Sequence, residues 1–186
     1  DLERVLEKVA RDIEESLRRN KESLKRLKEH VEESLKENRK SLEDLRKKLK
    51  DVLDELKKTE LDESEVKEIE ERVKKVEEDL ERKSKKLEDE NRKAVDELRK
   101  LSEDLERKNR KVLKELKDEV KDSDDEKKKV ADKIREEAKR LDKENREASD
   151  RARDVVRRLD EKNKKLSEEM KRTVERLLET LDRKMR

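Results

Sequence analysis

From Leu2 to Leu56 an apolar residue or an asparagine returns every three or four positions without a single failure, running Leu2, Leu6, Val9, Ile13, Leu17, Asn20, Leu24, Leu27 and onward. Side chains spaced in this way share one face of an α-helix. The stripe predicts a single helix of about 57 residues, roughly 85 Å long at 1.5 Å per residue. Within it a framework recurs after eighteen positions: Ser16, Leu17, Asn20, Ser23, Leu24 and Leu27 come back as Ser34, Leu35, Asn38, Ser41, Leu42 and Leu45. Eighteen residues amount to about five turns, so equivalent side chains return to the same face of a straight helix. A strict heptad would drift and impose a left-handed supercoil.

Two further stripes follow, each after a short break. Thr59 to Asp62 interrupt the first stripe; Asp62 is placed to cap a helix with Glu65 at the third position, and Leu61 and Val66 occupy the staple positions. The second stripe keeps the same period, as in Ile69, Leu87 and Leu105 or Ser84 and Ser102. The second break falls at residues 122–126, where Ser123 with Glu126 forms a capping box and the acids would lie in a first turn. The third stripe repeats as Ile134, Ala152 and Met170, as Leu141, Leu159 and Leu177, and as Asn145, Asn163 and Leu181. Helices are therefore expected at about 2–58, 63–121 and 124–185. Helices of similar length with short links pack against their neighbours in alternating directions. The expected fold is all-α: one elongated, antiparallel up-down-up three-helix bundle over residues 1–186, nearly untwisted.

Composition removes most functional classes. Charged residues make up 62% of the chain and hydrophobic ones 27%, with no Gly, Pro, Cys, Phe, Tyr or Trp. Without Gly there is no phosphate-cradling loop, and without Cys there is neither a disulfide framework nor a thiol nucleophile. Disordered chains share the low hydrophobicity but combine it with high net charge and no periodicity. Here 59 Lys and Arg oppose 57 Asp and Glu, leaving +2. A lone charged helix held by i,i+4 pairs would not need a continuous apolar stripe.

The two signs of charge alternate along the chain, so no basic face is expected for nucleic acid or an anionic membrane. No apolar run nears the ~20 residues of a membrane span. Neither nucleic acid, membrane nor small-molecule ligand is expected as a partner, no cofactor is implied, and a monomer is expected. The chain opens on Asp1 with no signal peptide, as expected after a tag or starting Met has been trimmed. A soluble protein in the cytoplasm of an expression host, with no natural compartment, fits that reading.

The unusual feature is polar. Tight reversals at the two breaks would align Leu56 with Val66 and Leu181, Leu49 with Val73 and Val174, and Val9 with Leu113 and Ile134. The same register places Asn20 level with Ser102 and Asn145, and Asn38 level with Ser84 and Asn163. Asn91 and Asn109 fall at apolar levels, where Ser34 and Ser16 are the nearest polar neighbours. Ser23, Ser41, Ser149 and Ser167 lie beside the main layers. A buried asparagine costs stability unless its donors and acceptors are matched. Six at core positions, each near serines, point to hydrogen-bond networks that fix register and partner choice, as a core asparagine does in coiled coils.

Nothing comparable points to catalysis. His30 is the only histidine and lies on the flank of the first stripe. Leu27 occupies the position three before it, so the Glu-x-x-His motif of di-iron bundles is missing. Met170 and Met185 read as core or end filler. No catalytic, cofactor-binding or metal-binding residue is expected, and the chain does not read as an enzyme.

The eighteen-residue period, the SLxxNxxSL element beginning at Ser16 and again at Ser34, and the Glu/Lys/Arg surfaces extend over the whole chain. In these features it resembles computationally designed parametric helical bundles with buried hydrogen-bond networks. The resemblance implies a structural scaffold without natural activity. The alternative it implies is a component of a designed switch, or of a helical homo- or hetero-oligomer, that exchanges or recruits a helix. Natural spectrin-like and tropomyosin-like rods fit less well, because the former usually carry Trp and the latter hold heptads.

Overall fold

The computed structural model describes residues 1–122 and 126–185. It is an all-α three-helix bundle of α1 (Leu2–Lys57), α2 (Glu63–Asp122) and α3 (Lys127–Met185), with no strand among the described residues. The unbroken stripes explain the lengths, since nothing in the sequence interrupts a helix between the two breaks. α1 closes with tightened bonds: the Lys58 amide donates to the Glu55 carbonyl at 3.1 Å, and both the amide and the hydroxyl of Thr59 donate to the Leu56 carbonyl. Such i,i+3 bonds satisfy carbonyls that have no partner further along the helix. α2 opens with the Val66 amide on the Asp62 carbonyl at 3.0 Å, which places Asp62 at the cap. Its carboxylate accepts the Ser64 hydroxyl at 3.2 Å.

The start of α3 differs from expectation. The Val130 amide donates to the Glu126 carbonyl, so Glu126 takes the position next to the first turn and the helix starts three residues later than the spacing suggested. Its first turn carries no acid. The expected cap at Ser123 and the side chain of Met185 lie outside the described residues.

The chain forms two compact units, each drawing a segment from all three helices: unit 1 is Asp1–His30 with Ala94–Val156, and unit 2 is Val31–Lys93 with Arg157–Arg186. In unit 1 Val9, Ile13, Leu113, Leu116, Ile134 and Leu141 form a buried cluster, covered by half-buried neighbours such as Leu6, Val112 and Ala138. In unit 2 Leu49, Leu56, Ile69, Leu80, Met170 and Leu181 are all at most 2% exposed. Each such side chain contributes about 1.5–3 kcal/mol by leaving water. No large hydrophobic side chain is exposed among the described residues.

Ion pairs on the helix flanks read out the pairing within each unit. In unit 1 Lys21 meets Glu106 at 2.8 Å, Lys108 meets Glu144 at 2.7 Å and Lys133 meets Glu119 at 2.8 Å. In unit 2 Arg39 pairs with Glu88, Arg46 with Glu81 at 2.8 Å and Lys57 with Glu70 at 3.5 Å. Lys162 reaches Glu90 at 3.2 Å, and Lys83 pairs with Glu169. Partner numbers fall along α2 as they rise along α1 or α3, so α2 runs antiparallel to both. Exposed pairs of this kind contribute little stability. Their value is as markers of register.

That register departs from the tight-turn expectation. Asn20 was to face Ser102, but its neighbour Lys21 reaches Glu106, a turn further along α2. Lys57, the last residue of α1, meets Glu70, two turns into α2. The first link therefore carries the chain past the end of α1 before α2 begins, by roughly 10 Å at 1.5 Å per helical residue. The later start of α3 acts in the same sense at the second link. Moving the midpoint of a reversal by one residue slides every facing pair by two, so small errors in loop geometry become whole turns of misalignment.

Candidate functional site

All six asparagines lie in the stripes, and they fall as three pairs eighteen residues apart, Asn20/Asn38, Asn91/Asn109 and Asn145/Asn163. One member of each pair belongs to each unit. Each unit thus holds one asparagine from every helix: Asn20, Asn109 and Asn145 in unit 1, and Asn38, Asn91 and Asn163 in unit 2. The antiparallel course of α2 explains the arrangement, since advancing along α1 and α3 means retreating along α2.

In unit 1 the Asn109 and Asn145 amides donate to each other's carbonyl oxygens, both at 2.9 Å. They are 0% and 1% exposed. The second Asn109 N–H goes to the Leu105 carbonyl at 2.6 Å, and the second Asn145 N–H goes to the Ser16 hydroxyl at 3.2 Å. Ser16 in turn donates to the Asp142 carboxylate at 2.7 Å, whose other oxygen pairs with Arg146 at 3.1 Å. Asn20 turns back on its own helix, donating to the Ser16 carbonyl at 2.7 Å, while its own carbonyl oxygen accepts the Ser149 hydroxyl at 2.5 Å. The result is a continuous line from a buried amide pair to a carboxylate at the surface.

Unit 2 is wired differently. Asn163 accepts at one oxygen from both Asn38 at 2.8 Å and Asn91 at 3.1 Å. It donates to Asn91 at 3.3 Å, and Asn91 gives its second N–H to the Leu87 carbonyl at 2.7 Å. The bonds of these three amides run to one another and to a backbone carbonyl.

The expected groupings need correction. Of the two serine–asparagine layers, only the approach of Asn38 to Asn163 is found. Asn91 takes the place given to Ser84, which is buried but not bonded to either amide. Asn109 takes the place given to Ser102, which is half-buried and joins neither Asn20 nor Asn145. Asn91 does not reach Ser34, and Asn109 connects to Ser16 only through Asn145. Ser23 accepts a long bond from Arg153 at 3.4 Å, whereas Ser34, Ser41 and Ser167 are half-buried and outside both networks. The cause is the register slide. Sequence reasoning also missed Asp142, on the edge of α3 one turn before Asn145. The signal that would have found the true layers is the common eighteen-residue spacing of the asparagine pairs, matching like with like.

Charged residues flank both layers. Beside the unit 1 pair, the Lys108 hydrogen bond holds the Glu144 carboxyl below its ordinary range against partial desolvation, aided by the charges of Lys108 and Arg140. Lys21 and Arg110 lower Glu106 in the same way. In unit 2 Arg39 does so for Glu88, against desolvation and with help from Arg92 and Lys85.

Chemically, the layers offer amides and hydroxyls paired with one another, and in unit 1 one hydroxyl, that of Ser16, stands against the Asp142 carboxylate. A slide of α2 against α3 by one turn would part both reciprocal amide pairs and leave buried polar groups unmatched at about 1–3 kcal/mol each. His30 is exposed, and no group of three or more His, Cys, Asp or Glu among the described residues is placed to hold a metal ion. No helix of the described residues is long and apolar enough to cross a membrane. Compared with known proteins, the chain matches no family model, and neither a curated protein nor a solved structure is significantly similar to it.

Proposed function

We propose that this chain is a computationally designed structural scaffold, a helical bundle that carries no enzymatic activity and whose buried asparagine networks set the alignment of its helices. The observation that carries the reading is the pair of asparagine layers, one residue from each helix in each, set in interiors otherwise made of Leu, Val, Ile, Ala and Met with the serines Ser16, Ser84 and Ser149. A polar layer adds little stability over an apolar one of the same shape. What it adds is a penalty on every slipped or intermolecular pairing that parts its members. Surfaces made almost wholly of Glu, Asp, Lys and Arg serve the same end.

Sedimentation of the full chain over a wide concentration range tests the reading. A scaffold keeps the mass of one chain throughout. Association with rising concentration, or uptake of a labelled peptide copy of α1, would overturn it in favour of a switch component or assembly subunit.

A further inference from the structure

Unit 1 carries a trough of about 750 Å³ between α1 and α3, bounded by Arg4 to Ser23 on one side and Arg135 to Arg153 on the other. Each side runs about 28 Å at 1.5 Å per residue. Seven Lys or Arg side chains line the trough, against three carboxylates.

The imbalance is concentrated at one end. Toward Ser23 and Arg153 the cations are matched: Arg19 with Glu15 at 2.6 Å, Arg146 with Asp142 at 3.1 Å and Arg153 with Asp150 at 3.0 Å. At the other end Arg4 and Lys8 of α1 stand against Arg135 and Lys139 of α3, over a floor of Val5, Val9 and Ala138, and Asp12 is the one lining carboxylate. Arg4 has a loose pair with Asp1 at 4.0 Å, and Arg135 one with Asp132 at 3.5 Å, with every partner more than half exposed. Lys8 and Lys139 make no ion pair among the described residues. Alternating signs along the sequence did not forbid this cluster. Arg4 and Lys8 are four apart, as are Arg135 and Lys139, and residues four apart share one edge of a helix.

We propose that this end of the trough binds a linear oligophosphate. Arginine forks take phosphate oxygens in pairs and lysine adds point charge, so four cations on two facing edges suit a chain of several adjacent charges. With no aromatic residue in the protein, there is no platform on which a nucleobase could stack, so the recognised part is the phosphate chain itself. The weak exposed pairs of Arg4 and Arg135 are the kind that a multidentate anion displaces.

Calorimetric titration of sodium tripolyphosphate into the full chain at low ionic strength tests this. The expected result is saturation at one equivalent with a Kd below about 1 mM, weakened at least tenfold in the double variant Lys8→Gln, Lys139→Gln. The double variant Lys47→Gln, Lys50→Gln removes the same charge from exposed positions of unit 2 and is expected to change affinity less than twofold. Circular dichroism confirms that both variants keep their helicity. Failure to saturate, more than one equivalent, equal weakening in the two variants, or orthophosphate binding as tightly as tripolyphosphate would each overturn the assignment.

Discussion

In unit 1 the asparagine of α1 donates to its own helix and reaches α3 by accepting from Ser149, whereas in unit 2 its counterpart eighteen residues on donates across to α3. The flanking residues account for the difference. Ser16 and Ser149 are 8% and 2% exposed and take part in the unit 1 network, while the corresponding Ser34 and Ser167 are half-buried and do not. Around them, α3 presents Ala148 and Ala152 in unit 1 where unit 2 has Leu166 and Met170. Short hydroxyls bridge where the neighbours on α3 are small, and the longer amide of Asn38 bridges where they are bulky. Asparagine spacing decides where a polar layer lies; the size of the surrounding side chains decides how it is wired.

The strongest way to break this comparison is to remove the central amide of each layer. Asn145→Ala leaves Asn109, fully buried, without its reciprocal partner and takes a donor from Ser16. With unmatched groups costing about 1–3 kcal/mol each, a loss of roughly 2–4 kcal/mol is expected. Asn163→Ala strands Asn91 similarly, but its bonds are longer and Asn38 is half-buried, so water replaces part of what is lost. The unit 2 variant is expected to lose about 1 kcal/mol less. Urea denaturation of both variants gives the two values. Equal losses would mean that water gains no access through the α1 side of unit 2.

Much of this architecture was legible in the stripes. Helix existence, number and extent follow from three- and four-residue steps with no Gly or Pro to interrupt them, and α1 and α2 end within a residue of the expected places. Five of the six asparagines are buried, as their stripe positions in place of leucine indicate, and Asn38 is half-buried. Their pairing was not legible from the turns, because a tight reversal was assumed where Lys58–Asp62 carries the chain outward before α2 starts. Nor could spacing reveal that Ser16 reaches Asp142 while Ser34 stays out of its layer. Those two serines stand in the same SLxxNxxSL frame, and their difference comes from residues on another helix.

A second and smaller comparison uses those two serines. Ser16 donates to a carboxylate and accepts from Asn145, and bonds to charged groups contribute about 1.5–3 kcal/mol. Arg146 and water still serve Asp142 after its loss, so Ser16→Ala is expected to cost about 1–2 kcal/mol. Ser34→Ala touches neither network and should stay within about 0.5 kcal/mol of the parent. Hydrogen exchange would add a local readout: faster exchange at Asn109 and Asn145 in the Ser16 variant, with no change at Asn91 and Asn163. A Ser34 effect as large as that of Ser16 would show that the two frames are wired alike.

The smallest effect expected is the response to acid, and its sign follows from the flanking carboxylates. Glu88 in unit 2 is held below its ordinary pKa of 4.5, first by the Arg39 hydrogen bond and then by the charges of Arg39, Arg92 and Lys85, against desolvation. A carboxylate lowered in the folded state stabilises fully above its unfolded pKa, and that stabilisation is lost as pH falls through the folded value. Glu144 and Glu106 act in the same sense in unit 1, so among the described residues unit 1 has two such groups against one in unit 2. Lys83 and Lys133 are raised, chiefly by hydrogen bonds to Glu169 and Glu119, so their contribution is lost only as pH rises through elevated values above 10.5. Stability should therefore be level around neutrality and decline gently below pH 4.5. Because these groups are largely solvated, the loss at Glu88 should be a few tenths of a kcal/mol, and 1 M salt should shrink it by screening. Denaturant midpoints at pH 7 and pH 3, for the parent and Glu88→Gln, measure it: the variant should lose less than the parent on acidification. An identical decline in both would show that the Arg39 pair leaves no trace in folding. A decline of several kcal/mol would instead require a buried carboxylate in the unit interiors, where the buried side chains among the described residues are amides, hydroxyls, hydrocarbon and the Met170 thioether.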